Sequence, residues 1–385
     1  MRIKAAVLEE FGAPLAVQEL DLAEPKETEV LVRLAACGIC HTDLYTASGA
    51  DPSGYVPTVL GHEGAGVVEA VGARVTSVAP GDHVVTLFSP QCRECVHCLD
   101  ERTNLCLAIR EQQNQGYLPD GTTRLSRPIS RPGAGGLAGG ASSRREPIRH
   151  FMGTSTFAEY TVMPEIALAK ITSEAPLEQA CVFACGLSTG LGAAMNTAKV
   201  QPGSTCVVFG AGLVGLGAVA GCRLQGAERI VAVDRSEERL ALARDQGATD
   251  TLVAGEDTVQ RVLELTDGFG ADYTFEATGL VAVMRQAVES ARMGWGLATV
   301  CGVAGKGETL DVVPRYLITG RRIAGSSFGG VKGRDQVPQL VDRWLAGEID
   351  VAPLVSHRLR LAEVNRGFEL MHAQDGIRSV IAFDL

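Results

Sequence analysis

No stretch of this 385-residue sequence approaches the roughly 18 consecutive apolar positions of a membrane span, so a helical membrane protein is not expected. A basic excess is missing too: 35 Lys and Arg stand against 45 Asp and Glu, a formal charge of −10. Surfaces that hold nucleic acid through its phosphates normally show the opposite balance, so nucleic acid is not expected as a partner. The N-terminus reads MRIKAAVLEE and meets Glu9 and Glu10 before a secretory apolar region develops. A cytoplasmic location is therefore expected. Nor is any internal repeat visible. What is present is a globular composition, 46% apolar and 21% charged, which argues against disorder. A chain this long buries a sizeable core and, at roughly 150 residues per domain, divides into two or three domains.

Cysteine is abundant. There are 11, an odd number, and several are tightly spaced. With no export signal, that usage favours reduced thiols holding metal over disulfides. Cys92, Cys95, Cys98 and Cys106 form the pattern C-x₂-C-x₂-C-x₇-C. Short spacings let successive thiolates point at one tetrahedral centre, and four of them close the shell of a zinc ion, so such a site is structural. Free or disulfide-bonded cysteines are the bland alternative, and an iron–sulfur centre also takes four cysteines. His97 lies inside the cluster but is expected to be solvated or to support the ligands rather than bind. Cys40, His62 and Cys185 are further soft donors. Their spacing identifies no site, because each taken singly reads as a small buried hydrophobe or a satisfied polar residue.

Up to about residue 90 the chain reads as short strands broken by Gly and Pro: residues 30–34, 66–71 and, after the turn Pro80-Gly81-Asp82, 84–86. From about residue 204 the rhythm changes. Strands at 206–209, 229–233, 271–275 and 296–301 alternate with helices at 213–225, from Ser236 as N-cap, and at 281–292. That alternation is the sign of an α/β fold with a doubly wound parallel sheet. Val364, Phe368 and Met371 mark one apolar face of a late helix. Residues 125–149, rich in Gly, Pro and Arg, are expected to form a loop excursion. Gly210-x-Gly212-x-x-Gly215 follows the first of these strands and opens a helix, and Asp234 ends the next strand at about the expected 20-residue distance. The glycines admit a pyrophosphate to the helix N-terminus, and the acid accepts hydrogen bonds from ribose hydroxyls. This selects NAD over NADP, although the adjacent Arg235 softens the preference.

With both cysteine sets and the fingerprint in view, the chain resembles the zinc-dependent medium-chain alcohol dehydrogenases over nearly its whole length, residues 125–149 excepted. Within them it is most similar to the class III branch, the glutathione-dependent formaldehyde dehydrogenases. The resemblance is carried by Cys40-His41-Thr42-Asp43, Ser48-Gly49-Ala50-Asp51-Pro52, Gly61-His62-Glu63-Gly64-Ala65-Gly66, Phe151-Met152-Gly153-Thr154-Ser155-Thr156-Phe157 and Phe328-Gly329-Gly330. It implies a GroES-like, mainly β catalytic domain (residues 1–186 and 332–385) with both zinc sites, and a Rossmann NAD-binding domain (residues 187–331). Substrate would enter the cleft between them. It implies a catalytic zinc on Cys40, His62 and Cys185, an open shell with room for substrate, and a second zinc on Cys92, Cys95, Cys98 and Cys106. Thr42 would begin a proton relay leading to His41 or Tyr45. Asp43 would fix the tautomer of His62, and Glu63 would stand beside the metal. For NAD it adds His41 and Arg378 at the pyrophosphate, Arg239 at the adenosine ribose, and Leu213 and Val214 at the helix opening. Phe88, Arg110, Phe151 and Met152 would line the substrate pocket. It also implies a homodimer joined near residues 296–303, with a tetramer as the alternative.

Departures from the branch bear on the substrate. Asp51 and Arg110 match two charged groups at the pocket mouth, but Ser53 stands where an acid is expected and Ala282 where a lysine is expected. Two lost charge-assisted contacts, each worth about 1.5–3 kcal/mol, weaken binding of a zwitterionic tripeptide by about a hundredfold or more. The expected activity is thus reversible, NAD-linked oxidation of a primary alcohol, aromatic or medium- to long-chain, to its aldehyde. S-(hydroxymethyl)glutathione oxidation is the nearest rival. A non-catalytic NAD-binding regulator or structural protein is a rival of another kind, and the intact set Cys40, Thr42, His62 and Cys185 argues against it. The arginines Arg124, Arg127, Arg131, Arg144, Arg145 and Arg149 face only Glu146 locally. They read either as a solvated insertion or as a gate that attracts anions to the cleft.

Overall fold

The computed structural model describes residues 1–129 and 145–384. Strand Glu29–Gly38 is the spine of the N-terminal half, buried along ten residues except at Arg33. It pairs antiparallel with Glu63–Val71, Tyr160–Pro164 and Arg378–Ala382. His83–Thr86, Leu168–Ile171 and Val355–Leu359 complete this seven-stranded sheet. A smaller sheet closes into a barrel from Arg2–Leu8, Ala16–Leu22, Leu125–Pro128, Arg145–His150 and Thr58–Val59.

The barrel corrects the expected loop at the two ends of residues 125–149; residues 130–144 lie outside the described residues. Leu125–Pro128 and Arg145–His150 pair antiparallel, from Leu125↔Ile148 to Pro128↔Arg145. Composition concealed them because their burial rests on few apolar side chains, Leu125 and Ile148. Ion pairs hold much of the rest: Arg127 with Glu9 and Glu146, and Arg145 with Asp21. Arg124 is buried against Glu29 and Asp120. Three of the six arginines are therefore neutralised within the fold and do not serve the anion-attracting reading. Arg131 and Arg144 lie outside the described residues.

Six parallel strands form the second sheet, in the order Asp250–Val253, Arg229–Asp234, Thr205–Phe209, Tyr273–Glu276, Leu297–Val300, Arg322–Gly325. Val207, Val208, Phe209, Val231 and Phe275 are buried, as strands covered by helices on both faces must be. Numbered along the chain the order is 3-2-1-4-5-6, which reverses between Thr205–Phe209 and Tyr273–Glu276 and opens a crevice at their carboxyl ends. Helix Glu237–Gln246 starts as expected: the Ser236 side chain accepts the Arg239 N–H. Val364 and Phe368 are buried on helix Val364–His372.

Two glycine contacts seat the helix that follows Cys185 on the nucleotide fingerprint. A Cβ on Gly190 would stand 2.0 Å from the Val214 carbonyl, and one on Gly186 would meet Leu213 at 2.6 Å. Helix Gly186–Gly192 therefore lies directly on helix Leu213–Leu224, which carries the nucleotide fingerprint. Among the described residues no single helix is long and apolar enough to cross a membrane, and the bent pair Leu177–Ala184 and Gly186–Thr197 is largely core.

Candidate active site

Three chain segments deliver the buried donors. Cys40 N-caps helix His41–Ala47, His62 directly precedes strand Glu63–Val71, and Cys185 N-caps helix Gly186–Gly192. Ligand atoms of Cys40, His62, Glu63 and Cys185 lie within 4.8 Å of one another. His62 is fully buried, and its Nε2 has no hydrogen-bond partner among the described residues. A buried, unpartnered imidazole nitrogen facing two thiols is costly unless something accepts its lone pair. Zinc fits this set. A hydrogen bond from Cys185, helped by Arg378 and His62, holds the Cys40 thiol well below its usual range despite burial.

Asp43 organises the cluster. It is fully buried, with Oδ2 accepting Cys40 N–H at 2.9 Å and Oδ1 accepting Gly61 N–H at 3.0 Å. His62 Nδ1 lies 3.2 Å from the same Oδ1, which directs Nε2 toward the thiols. Glu63 sits among the donors with its Oε2 3.1 Å from Arg378 Nε. Burial pushes Glu63 up to about 7, against the opposing charge of Arg378. Thr42 Oγ1 lies 3.7 Å from Cys40 Sγ, and His41 and half-buried Tyr45 follow on the same helix. Desolvation, then the charges of Arg378, Arg239 and His372, lower His41 below the ordinary imidazole value despite the pull of Cys40.

Cys92, Cys95, Cys98 and Cys106 also converge within 4.8 Å, and all are free thiols. Backbone N–H groups point at these sulfurs, Cys95 onto Cys92 at 3.2 Å and Cys98 onto Cys95 at 3.4 Å. Burial opposes ionisation of Cys95, but the N–H groups of Leu107 and Cys98 outweigh it and bring the thiol to about 6. His97 turns away and bonds the Leu105 carbonyl at 2.8 Å.

The glycine loop divides its labour by position. Gly210 takes φ +93°, and a Cβ on Gly215 would stand 1.6 Å from the Gly210 carbonyl. At Gly212 a Cβ would meet nothing within 4 Å, the open face that a pyrophosphate needs. Asp234 accepts the N–H of Ala211 at 2.7 Å and of Ser236 at 2.9 Å, so it stands against the loop. Val214 and Leu213 contact the Cys185 helix, as above. Arg239 reaches the carbonyls of Gln374 and Gly376 and leaves its Nε unpartnered among the described residues. Arg378 is 5% exposed, donates to the Ile39 carbonyl and lies deeper than a surface phosphate contact.

A cavity of about 240 Å³ lies on the far side of the two rings that flank His62, with Phe88, Arg110, Phe151 and Met152 among its lining residues. Phe88 and Phe151 give it two aromatic walls and stand edge to face with His62 behind them, at 5.6 Å and 5.7 Å, while Phe328 packs on Phe88 at 5.1 Å. The family model for an alcohol dehydrogenase GroES-like domain matches residues 26–173, and that for a zinc-binding dehydrogenase matches residues 214–346. The chain is 48% identical to the class-3 alcohol dehydrogenase of Myxine glutinosa, over 98% of this chain and 97% of that one.

This chain belongs to the zinc-dependent alcohol dehydrogenases.

It is also 47% identical to the S-(hydroxymethyl)glutathione dehydrogenase of Paracoccus denitrificans, over 100% of both chains. Among solved structures, the benzyl alcohol dehydrogenase of Acinetobacter calcoaceticus is similar over 100% of both chains, with a TM-score of 0.89 and 31% identity. As a member of this family the protein is an NAD-dependent enzyme that uses zinc. The name of the Paracoccus relative gives S-(hydroxymethyl)glutathione as that protein's substrate. Two supports of the dehydrogenase pocket escaped sequence reasoning. Gln113 Nε2 donates to the Phe88 carbonyl at 2.6 Å and the Met152 carbonyl at 2.5 Å, bracing two wall residues. Phe328 backs Phe88 from a left-handed turn at φ 51°. Met152 shares that unusual region at φ 51°, but nothing in a lone Gln or Phe codon signals such roles.

Proposed function

We propose that this dehydrogenase oxidises primary alcohols with an apolar or aromatic tail to their aldehydes, reversibly and with NAD. The rings of Phe88 and Phe151, which line the cavity and flank His62 of the Cys40–His62–Cys185 set, with Phe328 packed against Phe88, carry this reading. When bound, zinc supplies a Lewis acid for the alcohol oxygen and NAD a hydride acceptor. Cys40, His62 and Cys185 hold the catalytic zinc, and Cys92, Cys95, Cys98 and Cys106 the structural one. Asp43 fixes the His62 tautomer. The Thr42 hydroxyl takes the proton released by the substrate hydroxyl, with His41 and Tyr45 on its way to water. Gly210, Gly212, Gly215 and Arg378 would hold the pyrophosphate, and Asp234 and Arg239 the adenosine ribose. The domains are residues 1–186 with 332–385, and 187–331. We place the enzyme in the cytoplasm as a homodimer; exposed Val303, Leu317 and Ile318 near edge strand Arg322–Gly325 support an interface there.

Asp51 supports the apolar tail over a tripeptide. Its Oδ2 accepts the Thr46 hydroxyl at 2.7 Å, and its Oδ1 accepts Ser53 N–H at 2.9 Å and Ser53 Oγ at 2.7 Å. Ser53 thus occupies an acceptor that a substrate ammonium would need. S-(hydroxymethyl)glutathione is the second reading, favoured by the relatives' names and by Arg110 in the cavity lining. NADH formation with octanol, benzyl alcohol, ethanol and formaldehyde plus glutathione decides between them. The proposal expects octanol or benzyl alcohol to give the highest kcat/KM. A formaldehyde rate that appears only with glutathione and exceeds both alcohols would reverse the order.

A further inference from the structure

Arg149 differs from its neighbours in what surrounds its charge. Arg124, Arg127 and Arg145 each meet carboxylates, whereas Arg149 meets two aromatic rings. Its guanidinium carbon lies 4.3 Å from the Tyr117 ring centroid and 5.4 Å from that of Tyr55, and Nη1 donates to the Gln115 carbonyl at 2.5 Å. The backbone fixes this arrangement. Thr58 pairs with Arg149 between parallel strands, the Arg149 N–H reaches the Pro57 carbonyl at 3.0 Å, and Thr58 Oγ1 donates to the Arg149 carbonyl at 3.1 Å. Gly116, at φ +73°, lets the chain pass so closely that a Cβ there would stand 3.0 Å from both Arg149 Cβ and Tyr55 Cδ2. Of the two rings, Tyr55 also lines the cavity that holds Phe88, Phe151 and Arg110.

We propose that Tyr55 is a specificity-determining residue that contacts the substrate's tail beyond the reacting carbon, and that Arg149 and Tyr117 are the positioning residues that hold its ring. A planar guanidinium can stack against a ring face while its edge bonds a carbonyl, which a lysine ammonium cannot imitate. The arrangement gives the outer cavity a fixed aromatic surface at little conformational cost, suited to an alkyl chain or an aromatic ring. The inference rests on the dehydrogenase reading of the cavity and extends it to the tail.

The test compares kcat/KM for the tail-bearing alcohol that the wild type prefers with kcat/KM for ethanol. Variants are Tyr55→Ala, Tyr55→Phe, Arg149→Leu and Arg149→Lys of the full-length holoenzyme, each checked by thermal melting. Tyr55→Ala is expected to lower the ratio about tenfold, chiefly through KM of the tail-bearing alcohol, and Tyr55→Phe to keep it within about twofold. Arg149→Leu and Arg149→Lys should each lower it about threefold. A Tyr55→Ala ratio within twofold of wild type overturns the role of Tyr55. A fall in Tyr55→Ala with none in either Arg149 variant overturns the positioning role alone. A wild type that oxidises glutathione-bound formaldehyde in preference to other alcohols defeats the substrate reading above, while the ratio taken with that adduct still decides the role of Tyr55. A wild type that oxidises no alcohol overturns both.

Discussion

Asp43 Oδ1 stands 3.2 Å from His62 Nδ1, and both side chains are wholly buried. The carboxylate makes three contacts at once, and the other two are N–H groups of Cys40 and Gly61. Asp43→Asn keeps the size but places an NH₂ group against one of those donors. A buried donor left facing a donor costs about 1–3 kcal/mol. Zinc affinity of the catalytic site should fall about 10–100-fold, the usual effect of losing the group behind a ligating histidine. Chelator competition followed by metal analysis measures this, and an unchanged affinity would mean that Asp43 only caps its helix.

Two cysteine substitutions should separate the two donor sets. Cys40→Ala is expected to leave a folded protein that binds NAD, retains one zinc of two, and loses about a thousandfold or more in kcat, since Lewis-acid stabilisation is worth several kcal/mol. Cys95→Ser is expected to spare the cavity but lower the melting temperature and soluble yield, because a closed four-thiolate shell contributes folding energy. Full activity in Cys40→Ala would remove the zinc assignment.

The glycine loop offers a cleaner separation of fold from ligand. A side chain at Gly212 meets nothing within 4 Å, and its backbone, at φ −79° and ψ −173°, suits any residue. Gly212→Val should therefore melt like wild type but bind NAD about tenfold to a hundredfold more weakly, having displaced one or two charge-assisted contacts. Gly215→Ala should do the reverse. Its Cβ overlaps the Gly210 carbonyl at 1.6 Å, so it lowers stability whether or not NAD is present. Overpacking of this kind costs about 1–3 kcal/mol. Calorimetric titration with NAD beside thermal melts of both variants checks the pair.

These cases show where the sequence was legible. The fingerprint could be read because strand, glycines, helix and acid are consecutive, and the four-cysteine lobe because its ligands are near neighbours. Cys40, His62 and Cys185 lie far apart along the chain, and only family resemblance grouped them. The turn Cys181–Ala184, packed against strands Glu29–Gly38 and Glu63–Val71, brings Cys185 to the others, a tertiary contact with no local signal. The barrel strands around Leu125 and Ile148 were hidden for a related reason. Their charged residues find partners at Glu9, Asp21 and Glu29, more than ninety positions away. Composition describes a segment as though its neighbours were solvent.

His150 gives a prediction that depends on such a distant arrangement. It ends strand Arg145–His150 and is fully buried, its Nε2 accepting the Arg124 N–H at 3.2 Å. Protonation would set one N–H against another. Desolvation first, and then the nearby Arg124 charge, lower its pKa to about 3, although Asp120 pulls the other way. The unfolded chain binds this proton with a pKa near 6.5. Between pH 6.5 and 3 the unfolded state therefore holds more protons, and the stability that His150 contributes is complete above about pH 6.5 and declines as the pH falls toward 3. At pH 5 the loss is roughly 2 kcal/mol, from 1.4 kcal/mol per pH unit. His150→Gln retains an acceptor for the Arg124 N–H but has no proton to gain, so its urea midpoint should change less between pH 7 and pH 5 than that of wild type. Parallel curves for the two proteins would show that His150 does not set the acid sensitivity of the fold.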